Sequence, residues 1–358
     1  MNKYQVASDN FDMDSVEFLP NDFEFIGNKP EEHIDSNFAS QDYWKDVFIR
    51  FKRNKGAVIG FILLVIIAIM AVIGPMVSGY TFDQQRIEFQ DFAPRVPGLE
   101  KIGIFDGSEV MRGPGGSSAR TINKYKTTEG AADVYYWFGT DNLGRDIWTR
   151  TWMGTRISLI IAVSAVLIDM AIGMSYGLIA GYFGGWVDNI MQRVLEVVNS
   201  IPTLVIVTLL MLVFKPGLFT IILALMVSGW VGMSRIARAQ MLKLKEQEFV
   251  LASRTFGAGS WHIIFSEVLP NIIGQIITNT MFSIPNAIFT EAFLSFVGLG
   301  IPAPQASLGS LISSGYNSFT THPYQILPPL IVLALLMLCC NMVADGLRDA
   351  LDPKMAQM

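Results

Sequence analysis

The chain has 358 residues, of which 51% are hydrophobic and only 16% charged. A soluble globular chain carries about a quarter charged residues, so this composition excludes an ordinary soluble enzyme and a disordered chain. The formal net charge of −5 excludes the global basic bias of a nucleic-acid binder.

The charge is unevenly placed. Residues 1–46 carry eleven acids against three bases, so an acidic tail precedes a mildly basic body. This start lacks the basic flank and early apolar stretch of a cleavable signal. The first apolar run is 57–78, AVIGFILLVIIAIMAVIGPMVS, which holds no charge. It is long enough to cross roughly 30 Å of hydrocarbon. Lys45, Arg50, Lys52, Arg53 and Lys55 precede it, and such flanks stay inside.

Residues 79–150 form a long polar insertion with Pro and Gly clusters, APRVPG and RGPGGSSAR. Its aromatics, including Phe89, Phe92, Tyr125 and Tyr136, are enough to fold a small cap. Further spans are expected at about 156–181, 187–213, 218–239, 270–295 and 325–345. Six spans put both termini in the cytoplasm, the insertion outside, and the basic 235–262 region inside. Gly173, Gly177, Gly181, Pro202, Gly229, Gly232 and Pro285 lie within the spans. They serve close packing, or kinks along a pathway that opens and closes. Cys339 and Cys340 read as small buried hydrophobes.

No P-loop, HExxH or GxSxG occurs, and the three histidines are far apart. No catalytic residue and no metal site is expected. The segment 240–270, QMLKLKEQEFVLASRTFGAGSWHIIFSEVLP, reads as a short helix, a glycine turn and a second helix on the membrane surface. Small side chains at Ala252 and Ser253 would let another protein approach, and an ordinary interfacial loop is the plainer alternative. Asp169 and Glu291 are acids inside spans, serving either a pathway or a structural hydrogen bond. Asp141, Arg145 and Asp146 form either a local network that caps the second span or a docking contact.

The 240–270 segment resembles the EAA loop of membrane subunits of ABC importers. Ala252, Gly257, Leu269 and Pro270 match its pattern, while Leu251, Ser253 and Glu267 depart from it. Residues 138–158, FGTDNLGRDIWTRTWMGTRIS, resemble the GTDxLGRD signature of oligopeptide and dipeptide permeases. So do FLSFVGLGIPAPQASLGSLISSG at 293–315, ADGLRDALDPK at 344–354 and YFGGWVD at 182–188. Order and spacing over 138–354 are similar to the second permease type of an oligopeptide importer.

The resemblance implies an all-α polytopic membrane protein with six transmembrane helices and a MetI-like permease core. It divides the chain into an acidic cytoplasmic tail (1–46), a basic flank and first helix (47–78), an extracellular insertion (79–150) and a five-helix core (151–354). It assigns ATPase coupling to Glu248, Ala252, Ser253, Gly257, Ala258, Leu269 and Pro270. In that role Gly257 makes a turn where a side chain would clash, and Glu248 replaces the glutamate lost at Leu251. The external motif comprises Gly139, Thr140, Asp141, Gly144, Arg145 and Asp146.

The implied partners are a homologous second permease, two cytoplasmic ABC ATPases that carry ATP and Mg, an extracellular peptide-binding lipoprotein and membrane lipid. No nucleic acid and no cofactor of its own are expected, and the place is a bacterial cytoplasmic membrane. The same machinery for dipeptides, nickel or another small solute is a near alternative. An ion-coupled secondary transporter is a distant one, and it would want paired intramembrane charges.

Overall fold

A computed structural model describes residues 43–112 and 119–351. The acidic tail before residue 43, the centre of RGPGGSSAR at 113–118 and the ending Asp352-Pro353-Lys354 lie outside the described residues. A basic helix, α1 (Tyr43–Arg53), leads to α2 (Lys55–Val77), whose first turn Asn54 caps by accepting from the Ala57 amide at 3.1 Å. Helix α2 buries only Ala57, Gly60, Ile67, Ala71 and Gly74, one small-residue stripe, and leaves its large apolar side chains exposed. That inversion of the soluble pattern is what a lipid-facing helix requires.

Pro75 inside α2 has no N–H to give to the Ala71 carbonyl four residues back. Arg156 fills the vacancy, donating to Ala71 O from Nε at 3.2 Å and Nη2 at 3.0 Å. A buried backbone acceptor is thereby satisfied, and a cation inside a span gains its partner.

The insertion folds as a cap around Phe89, Phe92, Tyr125, Ala131 and Tyr136. Its hairpin pairs β1 (Ser108–Arg112) with β2 (Ala119–Asn123), Ser108 opposite Asn123, so the all-α expectation needs this one correction. Two bonds tie the cap to the segment before the last span. His322 Nδ1 lies 2.8 Å from Glu109 Oε1, and Gln325 Nε2 donates to Asp91 Oδ1 at 2.8 Å.

The GTDNLGRD turn starts the next helix, α3 (Ile147–Phe183). Asp146 is its N-cap and accepts from the Thr149 amide at 3.0 Å and the Thr149 hydroxyl at 2.6 Å. The Asp141 carboxylate accepts from the Leu143 and Arg145 amides and pairs with Arg145 Nε at 2.7 Å. Gly144 has φ +68° and lies against the Arg86 carbonyl, so no side chain fits there. The span therefore begins at 147, about two and a half turns before the expected 156.

Two helices, α4 (Gly185–Ser200) and α5 (Thr203–Phe214), stand where 187–213 suggests one span, and they meet at an 80° bend. Pro202 causes it. The residue before a proline is pushed out of the helical region, and Ile201 has φ −88°, ψ 119°. Then follow α6 (Leu218–Leu244), α7 (Glu248–Thr255), α8 (Ser260–Phe296), α9 (Leu308–Asn317) and α10 (Leu327–Leu351). Among the described residues five helices are long and apolar enough to cross a membrane, and a sixth if the bent pair counts as one. Cys339 and Cys340 are buried and free, as expected.

A glycine seam joins α3 to α6. A Cβ on Gly173 would meet Trp230 O at 2.7 Å, and one on Gly181 would meet Met241 Cβ at 2.8 Å. Between them, Gly177 lies directly under the Ser234 carbonyl. Gly184 and Gly185, both at positive φ, turn the chain into α4. There Asp188 is clamped by Arg238 of α6, Nε to Oδ1 and Nη2 to Oδ2 both at 2.6 Å.

The seam makes Gly177→Ala an overpacking change, expected to cost about 1–3 kcal/mol and to lower the melting temperature in detergent. Gly232→Ala, whose Cβ meets open space, should leave it unchanged. A second expectation concerns pH. Burial holds the Asp146 carboxyl above its ordinary value of 3.8, opposed by the Thr149 bonds. Its stabilisation is complete below the unfolded-state value and is lost as pH rises through the higher folded one. Asn also caps well, so melting of Asp146→Asn should gain on the wild type as pH rises from about 3 to 7. A constant difference across that range would contradict this.

Candidate functional site

Three groups of sequence-predicted residues fall in four places. At one end of the bundle lies the 240–270 segment. Helix α7 opens at exposed Glu248 and closes in a Schellman cap, with Ala258 N to Ser253 O and Gly257 N to Arg254 O both at 3.0 Å. Gly257 sits at φ +82° with nothing within 4 Å of an added Cβ. The expected clash is therefore absent, and the glycine is needed for its left-handed backbone instead.

The expected surface helix after the turn also needs correction. Ser260 begins α8, which runs on as a span through a π segment at Ile263–Val268. Leu269 packs beneath it, Pro270 is exposed, and Glu267 lies 3.7 Å from His262.

Val250 anchors α7, fully buried against Met241, Ile263 and Ile264. The other face is bare. Phe249, Leu251, Ala252, Phe256 and Trp261 are exposed, Phe256 to 90%. In a membrane helix exposed apolar residues meet lipid. Here they surround a capped turn with polar neighbours Glu246, Gln247 and Arg254, which is the character of a protein-docking surface.

The motif 139–146 lies at the cap. Thr140 is fully buried, donating to Phe89 O at 2.5 Å and accepting from Phe92 N at 2.8 Å. Gly139, at φ +80°, lies under the Phe92 carbonyl. Together with Asp141, Gly144, Arg145 and Asp146, these residues join the cap to the start of α3. Of the two sequence readings, the geometry is that of a capping network.

The two intramembrane acids are placed apart. Glu291 is fully buried and holds three elements together. Ser295 of α8 donates to it at 2.7 Å, Ser158 of α3 at 3.2 Å, and Ser307, the N-cap of α9, donates to Ser295 at 3.0 Å. This is a structural hub. Asp169 instead lines a cavity of about 400 Å³ between α3, α6, α8 and the start of α5. Ser283 of α8 lines the same cavity.

The polar cavity residues Asn279, Ser283, Asn286 and Thr290 were not singled out from the sequence. Their steps of four, three and four residues on one face of α8 were the available signal. Among the described residues no cluster of His, Cys, Asp and Glu is arranged to hold a metal ion.

Comparison with known proteins settles the family. Residues 173–357 match the binding-protein-dependent transport system inner membrane component, and residues 42–94 match the N-terminal TM domain of oligopeptide transport permease C. The oligopeptide transport system permease protein OppC of Bacillus subtilis (strain 168) is 40% identical over 316 residues, 88% of this chain and 91% of its own. The dipeptide transport system permease protein DppC of the same organism is 40% identical over 339 residues, 94% of each chain. OppC of Escherichia coli (strain K12) is 36% identical over 311 residues, 87% of this chain and 91% of its own. Nothing in these matches points to an ion-coupled secondary transporter. The chain belongs to the binding-protein-dependent transport system inner membrane components, in their OppC-like branch, and is a multi-pass membrane permease rather than an enzyme.

Proposed function

We propose that this chain forms half of the translocation pathway of an ATP-driven oligopeptide importer, with the α7 surface as its coupling element. The bare apolar face of α7 carries the reading. A helix rigidly seated by Val250, presenting Leu251, Phe256 and the small Ala252 and Ser253, suits insertion into a groove on a cytoplasmic ATPase. Two such ATPases, with their ATP and magnesium, supply the energy, and a homologous permease supplies the other half of the pathway. A peptide-binding lipoprotein docks at the cap. The basic flank of α2 and the basic 235–262 region support an orientation with both termini in the cytoplasm of a bacterial cell and the cap outside.

Closure of the ATPases moves α7 as a rigid piece, and the packed helices behind it exchange between two arrangements that open to opposite sides. Dipeptides are a second cargo, favoured by the 94% coverage of the dipeptide permease.

Three variants test the coupling surface. Phe256→Asp and Leu251→Asp alter exposed side chains only. Both should melt like the wild type yet lose most co-purified ATPase and peptide-stimulated ATP hydrolysis. Gly257→Val strains the left-handed turn and should lose both together with some stability. Wild-type permease that purifies without ATPase and moves peptide without ATP would end the reading.

A further inference from the structure

The cavity between α3, α6 and α8 carries charge of one sign. Among the described residues Asp169 is the only charged one lining it, with no Lys, Arg or His. Several of its neutral polar residues spend a donor on their own helix. Asn279 Nδ2 donates to Gln275 O at 2.7 Å, and Asn286 Nδ2 to Phe282 O at 3.3 Å. Thr290 Oγ1 donates to Asn286 O at 2.8 Å, and Ser228 Oγ to Ala224 O at 3.3 Å. Ser283 and Thr203 line it as well. The cavity thus offers amide carbonyls, hydroxyls, the second N–H of each Asn amide and a single carboxylate.

We infer that this cavity is a cargo site selective for positive charge, with Asp169 as the residue that receives a cationic group of the passing peptide. The inference rests on the importer reading and adds a selectivity to it. An ammonium in a span is costly unless paired, and the carboxylate supplies that partner within a wall that solvates the remaining N–H groups. An anionic side chain finds no cation among the lining residues and is repelled by the Asp169 carboxylate. The site resides in the permease, so its preference adds to that of any binding protein and is separable from it.

Gly232 gives a way to test that the cavity is on the path. It lies in the cavity wall on a helical backbone, and an added Cβ meets nothing within 4 Å. A larger side chain there fills the cavity without displacing a neighbour.

The experiment uses the complete complex in proteoliposomes, with binding protein at saturation. ATP-driven uptake is compared for two tripeptides that differ only in Lys or Glu at the middle position. The wild type should favour the Lys peptide. Asp169→Asn should lower the Lys-to-Glu uptake ratio about tenfold, the scale of one charged hydrogen bond. Asp169→Glu should restore most of the ratio, and Gly232→Leu should slow both peptides alike.

An unchanged ratio in Asp169→Asn, with both peptides slowed equally, would make Asp169 purely structural and overturn the inference. Unaltered uptake of both peptides in Gly232→Leu would take the cavity off the pathway while leaving the importer reading intact. A wild-type complex that moves neither peptide would overturn both.

Discussion

The close approach of α3 to α6 is the contact on which the other functional parts depend. Lipid offers no hydrophobic drive between helices, so association rests on packing and on hydrogen bonds. Gly173, Gly177 and Gly181 provide the packing by letting the backbone of α6 lie directly on α3. Asp188 and Arg238 pin the same pair at one end with a two-bond clamp. Met233, Ala237 and Met241, brought in by this approach, form a buried cluster with Val250 of α7 and with Ile263, Ile264, Val268, Ile272 and Ile276 of α8. Helix α7 is therefore seated on the seam itself.

The other end of the seam opens into the cavity. Asp169, Gly173, Gly177 and Gly181 are spaced by four residues along α3, and Asp169–Met174 is wound as a π segment. Such segments are rare and occur often at functional sites. Here the wide turn lies where α3 passes from its glycine contact with Trp230 to the cavity wall. Met233 belongs to both the buried cluster and the cavity lining. A displacement of α7 thus reaches the cavity through packed side chains, in an interior that transmits strain because it is close-packed.

Much of the architecture was legible because lipid simplifies the code. Long apolar runs marked the spans, and the Gly and Pro within them marked close packing or kinks, though not which helices pack together. The network at Asp141, Arg145 and Asp146 followed from the rule that short acids cap helices. Three features were not legible for physical reasons. The 80° bend depends on how far a proline redirects the chain, which apolar composition does not encode. The continuation of Ser260 into α8 is hidden because a surface helix and a span entry share the same amphipathic pattern. The reason for Gly257 was misjudged because sequence does not tell a left-handed backbone from a crowded one. Asp169 was found, but its neighbours were not, since Asn and Ser in a span look like isolated polar exceptions until α8 is wound into a helix.

An importer of peptides faces cargo whose side chains vary while its backbone does not. A pathway with tight, shaped pockets would discriminate among sequences and stall on most of them. A wall of amides and hydroxyls avoids this, because every peptide carries backbone N–H and C=O groups that such a wall can pair with in place of water. One carboxylate then adds a mild charge preference without a shape requirement. The small residues that close the seam and the polar residues that open the cavity are thus two uses of one constraint, that every polar group within the membrane must find its partner inside the protein or in its cargo.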